Sequence, residues 1–219
     1  MRPGVSPVCA IITGVSTGNN SNLLQRWTLA VTGASGSVFA AEMLRALVAD
    51  TRVSRVDLIV SDAALRVLAQ ELELSGRSGV VEKLLGGTSE KVVQHPEGDI
   101  GAGIASGSYA SAGMILLPCS MGTLAGIANG MASNLIERAA DVCLKEGRRL
   151  VLCVRETPFN RIHLRNMQLA SDAGATIFPV IPTFYNKPQD STAMARNFVN
   201  RVLAHVGLPQ PGAYEWKGE

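Results

Sequence analysis

Two stretches of small polar residues follow apolar runs and have the composition of anion-binding turns. Residues 118–123, Pro-Cys-Ser-Met-Gly-Thr, come after the apolar run 114–117, and residues 33–36, Gly-Ala-Ser-Gly, come after Leu29–Val31. A strand that ends in Ser, Gly or Thr and then leads into a helix presents backbone N–H groups and hydroxyls to an anion. Two such turns in one small domain predict a phosphorylated ligand or cofactor.

Each turn also has a plainer interpretation. Ser120 or Thr123 is a good helix N-cap, a structural role that can coexist with ligand binding. The first turn is not a Gly-x-Gly-x-x-Gly motif, and Ser61 stands where a ribose-binding acid would end the second strand, so an NAD site is only weakly supported. Cys119 has no nearby histidine in the sequence, which favours a buried, unreactive thiol over a nucleophile.

Charged residues in the second half of the chain are candidates for holding an anionic substrate. Arg138 and Lys145 lie seven residues apart on one predicted helix and so share a face. Asp141 is spaced to pair with Lys145 at i, i+4, which leaves a solvated salt-bridged face as the alternative. Arg155 and Glu156 end a predicted buried strand, a position where ligand sites of parallel sheets occur.

Two further candidates lie near the end of the chain. Tyr185 follows the predicted strand 176–180, and Arg201 lies on the last predicted helix, where an ordinary surface arginine is the alternative. His95 and His163 have no metal-ligand spacing, and we interpret both as non-ligands. The residues alone therefore suggest an anion site, without saying which anion.

Composition excludes several classes of partner. The 219 residues carry a net charge of +2, with no basic run longer than Arg148-Arg149, so nucleic-acid binding is not expected. No apolar stretch approaches the roughly 20 residues that span a bilayer, so no membrane association is expected. The four cysteines have no metal or CxxC spacing. We expect a cytoplasmic protein with reduced thiols and no metal.

The order of predicted elements indicates an α/β fold with a mainly parallel sheet. Residues 1–26 are predicted to be a flexible N-terminal extension, and residues 27–219 a single domain. Strands are predicted at Thr28–Val31, Val56–Val60, Ile115–Leu117, Leu150–Val154 and Thr176–Val180. Helices are predicted at Val38–Ala49, Ala63–Leu72, Thr123–Met131, Asn134–Glu146, Ile162–Ala173 and Ala193–Val206. Residues 75–100 are predicted to form a loop or a short helix.

Seven stretches, in this order, give the chain a resemblance to the UbiX-type flavin prenyltransferases. They cover most of residues 28–206 and are specific together, although each is weak alone. The stretches are Val31-Thr-Gly-Ala-Ser-Gly36, Ala105-Ser-Gly-Ser108, Pro118-Cys-Ser-Met-Gly-Thr-Leu124, Asn134-Leu-Ile-Glu-Arg-Ala-Ala-Asp141, Arg155-Glu-Thr-Pro158, His163-Leu-Arg-Asn-Met167 and Pro182-Thr-Phe-Tyr-Asn-Lys-Pro-Gln189.

The resemblance implies a Rossmann-like, flavodoxin-like three-layer α/β/α fold and a homo-oligomer, often a dodecamer, with FMN between subunits. It implies a metal-independent prenyltransferase that joins the dimethylallyl group of dimethylallyl monophosphate to reduced FMN, with bonds at N5 and C6. The product, prenylated FMN, would serve a UbiD-type decarboxylase in ubiquinone biosynthesis or aromatic acid metabolism. Monophosphate against diphosphate donor stays open, as does the decarboxylase that receives the product.

The resemblance also assigns roles position by position. The FMN contacts would be Gly33, Ala34, Ser35, Ser61, Ser120, Met121, Gly122, Thr123 and Arg155. The prenyl-phosphate contacts would be Lys145, Glu156, Tyr185 and Arg201, with Arg138 close by. Ser35 would place its hydroxyl near flavin N5, and Glu71 matches a further active-site acid. The catalytic set is therefore expected to be Ser35, Glu71, Lys145, Glu156, Tyr185 and Arg201.

Two departures and two alternatives accompany these assignments. Gly122 stands where many members carry lysine, and residues 159–162, Phe-Asn-Arg-Ile, replace a more usual Leu-His-Leu-Gly. One alternative is an FMN-dependent cysteine decarboxylase of the same fold, which would use a histidine base and an Asn-rich clamp that this sequence lacks. The other is a non-catalytic subunit that carries flavin for a decarboxylase.

Overall fold

The computed structural model describes residues 24–72 and 79–215. Six parallel strands form one sheet in the order β3-β2-β1-β4-β5-β6. The strands are β1 (Gln25–Val31), β2 (Val53–Val60), β3 (Val92–His95), β4 (Gly113–Cys119), β5 (Arg149–Val154) and β6 (Thr176–Ile177). The parallel sheet predicted from the sequence is confirmed.

Seven α-helices cover the two faces of this sheet in the described part of the chain. They are α1 (Ser37–Ala49), α2 (Asp62–Glu71), α3 (Val80–Leu85), α4 (Met121–Ala128), α5 (Leu135–Lys145), α6 (Arg161–Asp172) and α7 (Ser191–His205), and a 3₁₀ helix spans Gly103–Ala105. Buried side chains of α1, α2, α3 and α7 pack on one face, and those of α4, α5, α6 and the 3₁₀ helix pack on the other. The fold is therefore the three-layer α/β/α arrangement that the resemblance implies.

The central strand β4 shows why the sheet is buried on both sides. All seven of its residues, Gly-Met-Ile-Leu-Leu-Pro-Cys, are buried, as expected for an inner strand of a parallel sheet. Strands β1 and β4 are neighbours in the sheet although they are not consecutive in the chain. The strand order reverses between them, and ligands of open α/β sheets bind at the carboxyl ends of the strands at such a switch point.

Several element boundaries differ from those predicted. Strand β4 continues through Pro118 to Cys119, with a register shift against β5, whereas the sequence predicted that it stops at Pro118. Helix α4 begins at Met121 rather than Thr123, because Ser120 is the residue that caps it. Strand β6 ends at Ile177, although the N–H groups of Phe178 and Val180 still bond to β5 carbonyls.

Two other differences concern segments that were not predicted to be regular. Residues 79–100 contain helix α3 and the edge strand β3. The prediction of a loop or a short helix in this segment allowed for the helix but not for the strand. Strand β1 begins at Gln25, inside the predicted extension 1–26, and residues 1–23 lie outside the described residues. In the described ranges, no helix is long and apolar enough to cross a membrane.

Candidate active site

The first turn, residues 33–36, leads from β1 into α1. The start of α1 is capped by a carboxylate that lies far away in the sequence. Glu71, at the end of α2, accepts hydrogen bonds from the N–H of Gly36 at 3.1 Å and of Ser37 at 2.7 Å. Gly36 has a φ of 123°, a conformation that side-chain-bearing residues rarely adopt. The N–H groups predicted to receive an anion at this helix end thus already bond to a side chain of the protein.

The electrostatics of Glu71 match this arrangement. Burial raises the pKa of its carboxyl, but hydrogen bonds from Ser35 and Ser37 and from backbone N–H groups lower the pKa further, and the net shift is downward. The charged form is therefore favoured at neutral pH. Ser35, which is exposed, shares a hydrogen bond with this carboxylate, so the turn presents a serine hydroxyl next to an ionised acid.

Gly33 is required by the close approach of α2 to this turn. A Cβ atom built on Gly33 would lie 2.5 Å from the Cβ of Ala63, well inside van der Waals contact. Ser61 brings α2 to this position, since it directly follows β2, donates its N–H to the Val31 carbonyl and caps the helix by accepting from Ala64 N at 3.0 Å. The predicted contacts Gly33, Ala34, Ser35 and Ser61 therefore lie together.

The second turn, residues 120–123, leads from β4 into α4 and is capped by its own side chain. Ser120 Oγ accepts from Thr123 N at 3.4 Å and lies 3.1 Å from Thr123 Oγ1. Met121 and Gly122 are the first two residues of the helix, so their N–H groups have no carbonyl partner within it. A Cβ on Gly122 would meet nothing within 4 Å. This helix end therefore offers backbone N–H groups and open space to an anion.

Arg155 and Glu156 follow β5, directly beside the second turn. Arg155 donates its N–H to the Cys119 carbonyl at 3.1 Å, and both side chains are exposed. Glu156 Oε1 accepts from Thr157 N at 2.9 Å. The structure thus brings all nine predicted FMN contacts to the carboxyl ends of the adjacent strands β2, β1, β4 and β5.

The predicted prenyl-phosphate contacts do not lie together in one chain. Tyr185 and Arg201 line one cleft of about 120 Å³, where the Tyr185 ring stacks at 5.5 Å from the ring of Tyr214. Arg138 and Lys145 lie on α5, which packs on the opposite face of the sheet from α7, the helix that carries Arg201. The sheet therefore separates the two pairs of cationic and phenolic groups.

The ion pairs on α5 differ from the predicted one. Arg138 Nη1 bonds to Asp141 Oδ2 at 2.7 Å, and Arg138 Nε donates to the Ala105 carbonyl at 3.1 Å. Lys145 Nζ bonds to Glu146 Oε1 at 2.5 Å. The prediction that Asp141 pairs with Lys145 is wrong, because Arg138 reaches the same carboxylate from one helical turn away.

Sequence reasoning gave no role to the turn that lies against Lys145. Ser106 and Ser108 bond through their hydroxyls at 2.9 Å, and a Cβ on Gly107 would lie 2.7 Å from Lys145 Nζ. Arg148 also donates to the Gly107 carbonyl. The available signal was the Ser-Gly-Ser composition itself, since it has the same small polar character as the two strand-to-helix turns.

The remaining candidates have structural roles. Cys119 is fully buried, and burial raises the pKa of its thiol to about 12, in agreement with its interpretation as unreactive. His95 bonds to Asp57 Oδ1 at 2.8 Å, and His163 forms a capping box with Asn160. Within residues 24–72 and 79–215, no group of three or more His, Cys, Asp or Glu could hold a metal ion.

Comparison with known proteins places these observations in a family. A model of the Flavoprotein family matches residues 16–206. The flavin prenyltransferase UbiX of Salmonella typhimurium is 43% identical over 188 residues, which cover 86% of this chain and 95% of that protein.

Two solved structures are similar over most of the chain. A dodecameric FMN-dependent UbiX-like decarboxylase from Escherichia coli O157:H7 has a TM-score of 0.79 at 39% identity, covering 89% of this chain and 100% of that one. The structure of AnUbiX (PadA1) in complex with FMN and dimethylallyl pyrophosphate has a TM-score of 0.79 at 38% identity, covering 89% and 98%.

Proposed function

Because the chain belongs to the UbiX family of flavin prenyltransferases, we propose that it transfers a dimethylallyl group from dimethylallyl monophosphate to reduced FMN. The observation that carries the proposal is the clustering of all nine FMN-contact positions at four adjacent strand ends. FMN is here the prenyl acceptor, and prenylated FMN is the product. The proposed recipient of that product is a UbiD-type decarboxylase.

The residues at the strand ends fit an FMN molecule. The N-terminal N–H groups of α4 and the hydroxyl of Thr123 would bind the phosphate, since helix ends with free N–H groups favour anions. Arg155, exposed beside them, adds a positive charge. The flavin ring would extend toward the first turn, where Ser35 and Glu71 lie.

The proposed site for the prenyl donor is assembled from more than one copy of the chain. Lys145 and Arg201 lie on opposite sides of the sheet, so one phosphate cannot contact both within a single chain. A homo-oligomer solves this geometry, because a second copy can bring its α5 to the cleft that holds Tyr185 and Arg201. The dodecameric state of the E. coli O157:H7 protein makes a dodecamer the assembly to test first.

In this reaction the protein forms no covalent bond to either substrate. Its part is to position the flavin and the prenyl donor and to stabilise the charge that develops. The bond between the allylic carbon and the phosphate oxygen breaks, and flavin N5 forms a bond to that carbon. The proton lost from N5 would leave with the phosphate. A second bond would then join the prenyl group to C6, as the C=C double bond of the prenyl group opens and takes up one proton while C6 loses one. Lys145, Arg201 and Tyr185 would stabilise the departing dianion as charge-assisted donors.

Acidic residues would act as proton donors or acceptors. Glu156 is exposed at the end of β5, and we assign it the proton that goes to the phosphate or comes from C6. Glu156→Gln should then bind FMN normally but turn over slowly. Full turnover by this variant with FMN bound would overturn the assignment.

The test of the activity is an anaerobic incubation of the purified protein with chemically reduced FMN and dimethylallyl monophosphate, followed by mass spectrometry of the extracted flavin. A flavin heavier by one C5H8 unit supports the proposal. The same reaction with the diphosphate separates the two donors. Unmodified FMN that remains tightly bound with either donor would contradict the proposal and favour a flavin carrier.

The alternative of a cysteine decarboxylase lacks its base at the site. The three histidines of the chain are His95, paired with Asp57, His163, at the start of α6, and His205, bonded to Thr176. None lies on the β1–α1 turn or in helix α1.

A cytoplasmic location remains our inference, supported by the free, buried state of the three described cysteines.

A further inference from the structure

We propose that Thr32 is a positioning residue for FMN, because its buried hydroxyl fixes the start of α4 against the end of β1. Thr32 follows β1 directly and is 1% exposed. Neither the sequence pattern nor the family resemblance assigns it a role. The inference rests on FMN binding at the second turn, which belongs to the proposed function.

Three hydrogen bonds join Thr32 to residues far away in the chain. Its Oγ1 donates to the Pro118 carbonyl at 2.9 Å, and its N–H donates to the same carbonyl at 3.2 Å. In return, the N–H of Ser120 donates to Thr32 Oγ1 at 2.8 Å. The hydroxyl is therefore used both as donor and as acceptor, and it links the two strand ends that flank the switch point.

The bond to Ser120 fixes the residue on which the second turn depends. Ser120 caps α4, and the next two residues carry the N–H groups that would face the FMN phosphate. If Ser120 N lost its partner, a backbone donor would lie unpaired in a partly buried place, and the turn would shift to satisfy it. A shift of the helix end would misplace the phosphate donors while leaving the rest of the sheet unchanged.

Thr32→Val tests this directly, since valine has the shape of threonine without the hydroxyl. Thr32→Ser keeps the hydroxyl and loses only the methyl group. Thr28→Val is the matched control, because Thr28 is also buried but lies within β1, four residues before Thr32. Dissociation constants for FMN and for riboflavin, which lacks the phosphate, are measured by flavin fluorescence well below the melting temperature of each variant.

Thr32→Val should weaken FMN binding about tenfold and riboflavin binding by less, so that the preference for FMN falls. Thr32→Ser should stay within about twofold of the wild type, as should Thr28→Val. Equal weakening of both flavins, or unchanged FMN binding by Thr32→Val, would overturn the proposal.

If Thr32→Val does not fold, Thr32→Cys replaces it, since a thiol is a weak donor and acceptor of similar size. Its preference for FMN over riboflavin should lie between that of the wild type and the value expected for Thr32→Val. An unchanged preference would count against the proposal. The proposed function is tested separately by product formation in the wild type. A wild type that binds FMN but makes no prenylated flavin would contradict that function alone.

Discussion

The two strand-to-helix turns look alike in sequence but differ in what holds their helix ends. At the first turn, the Glu71 carboxylate covers the N–H groups of Gly36 and Ser37. At the second turn, Ser120 caps its own helix, and the N–H groups of the next two residues have no partner within it. The first turn therefore holds an acid, whereas the second can receive an anion.

This difference suggests a division of work within the site. A carboxylate already bonded to a helix end disfavours a phosphate at the same place, because like charges in a shared site repel. The first turn instead presents the Ser35 hydroxyl beside an ionised acid, a pair suited to proton transfer. The second turn would hold the FMN phosphate.

The largest expected effect comes from removing the charge at the first turn. Glu71→Gln should lower the rate of flavin prenylation about 100-fold if, as we propose, this acid transfers protons and does not contact the FMN phosphate. The FMN dissociation constant should change little. Single-turnover formation of prenylated flavin and flavin fluorescence titration check the two parts.

Glu97→Gln is the matched control for this change. Glu97 also accepts from a helix-start N–H, that of Asp62 at 2.9 Å, but it caps α2 rather than α1. Its variant should prenylate flavin at nearly the wild-type rate. Equal rate losses in both variants would mean that Glu71 acts only by stabilising a helix end.

The next effect tests the close packing of the first turn. Gly33→Ala should destabilise the fold by about 1–3 kcal/mol, because the added Cβ would collide with Ala63. Thermal unfolding measures this. The double variant Gly33→Ala with Ala63→Gly should recover most of the loss, and a double variant as unstable as the single one would show that the collision is not the cause.

A smaller effect is expected on FMN binding when a negative charge is added to the second turn. Gly122→Asp should weaken FMN binding at least about fivefold, since one added negative charge close to the phosphate costs about 1 kcal/mol even in water. The fold should not suffer, because an acid in the first helical turn is favourable. Gly122→Asn is the neutral control, and FMN binding that is equal in both variants would argue against a phosphate at this turn.

The smallest expected effect is a difference between the two turns in how their contribution to thermal stability depends on pH. Folding lowers the pKa of the Glu71 carboxyl. The contribution of this carboxylate to stability is therefore fully present above about pH 4.5, the ordinary pKa of a glutamate, and is lost as the pH falls through the folded pKa. The difference in melting temperature between the wild type and Glu71→Gln should shrink below that pH. The deficit of Ser120→Ala, in which a hydroxyl cap is lost, should not depend on pH.

Local patterns were enough to predict the parallel sheet and the position of both turns. Apolar runs such as 114–117 and small residues such as those at 33–36 report directly on buried strands and tight turns. The edge strand β3 was missed, because four residues, Val-Val-Gln-His, give too short a pattern in a polar segment. The start of α4 was predicted two residues late, since either Ser120 or Thr123 could have been the cap.

Contacts between distant residues could not be predicted in the same way. The cap from Glu71 to Gly36 spans 35 residues, and the bond from Thr32 to Pro118 spans 86. Nor does spacing along α5 decide between two ion pairs that both satisfy helical geometry, which is why Asp141 was paired with the wrong partner. The separation of Lys145 from Arg201 by the sheet follows only from the topology.

The most direct test of the two-turn account is a crystal structure of the FMN complex. We expect the phosphate within hydrogen-bonding distance of the N–H groups of Met121 and Gly122, with the Glu71 carboxylate still bonded to Gly36 and Ser37. A phosphate bound at Gly36 and Ser37, with Glu71 displaced from that helix end, would contradict the account.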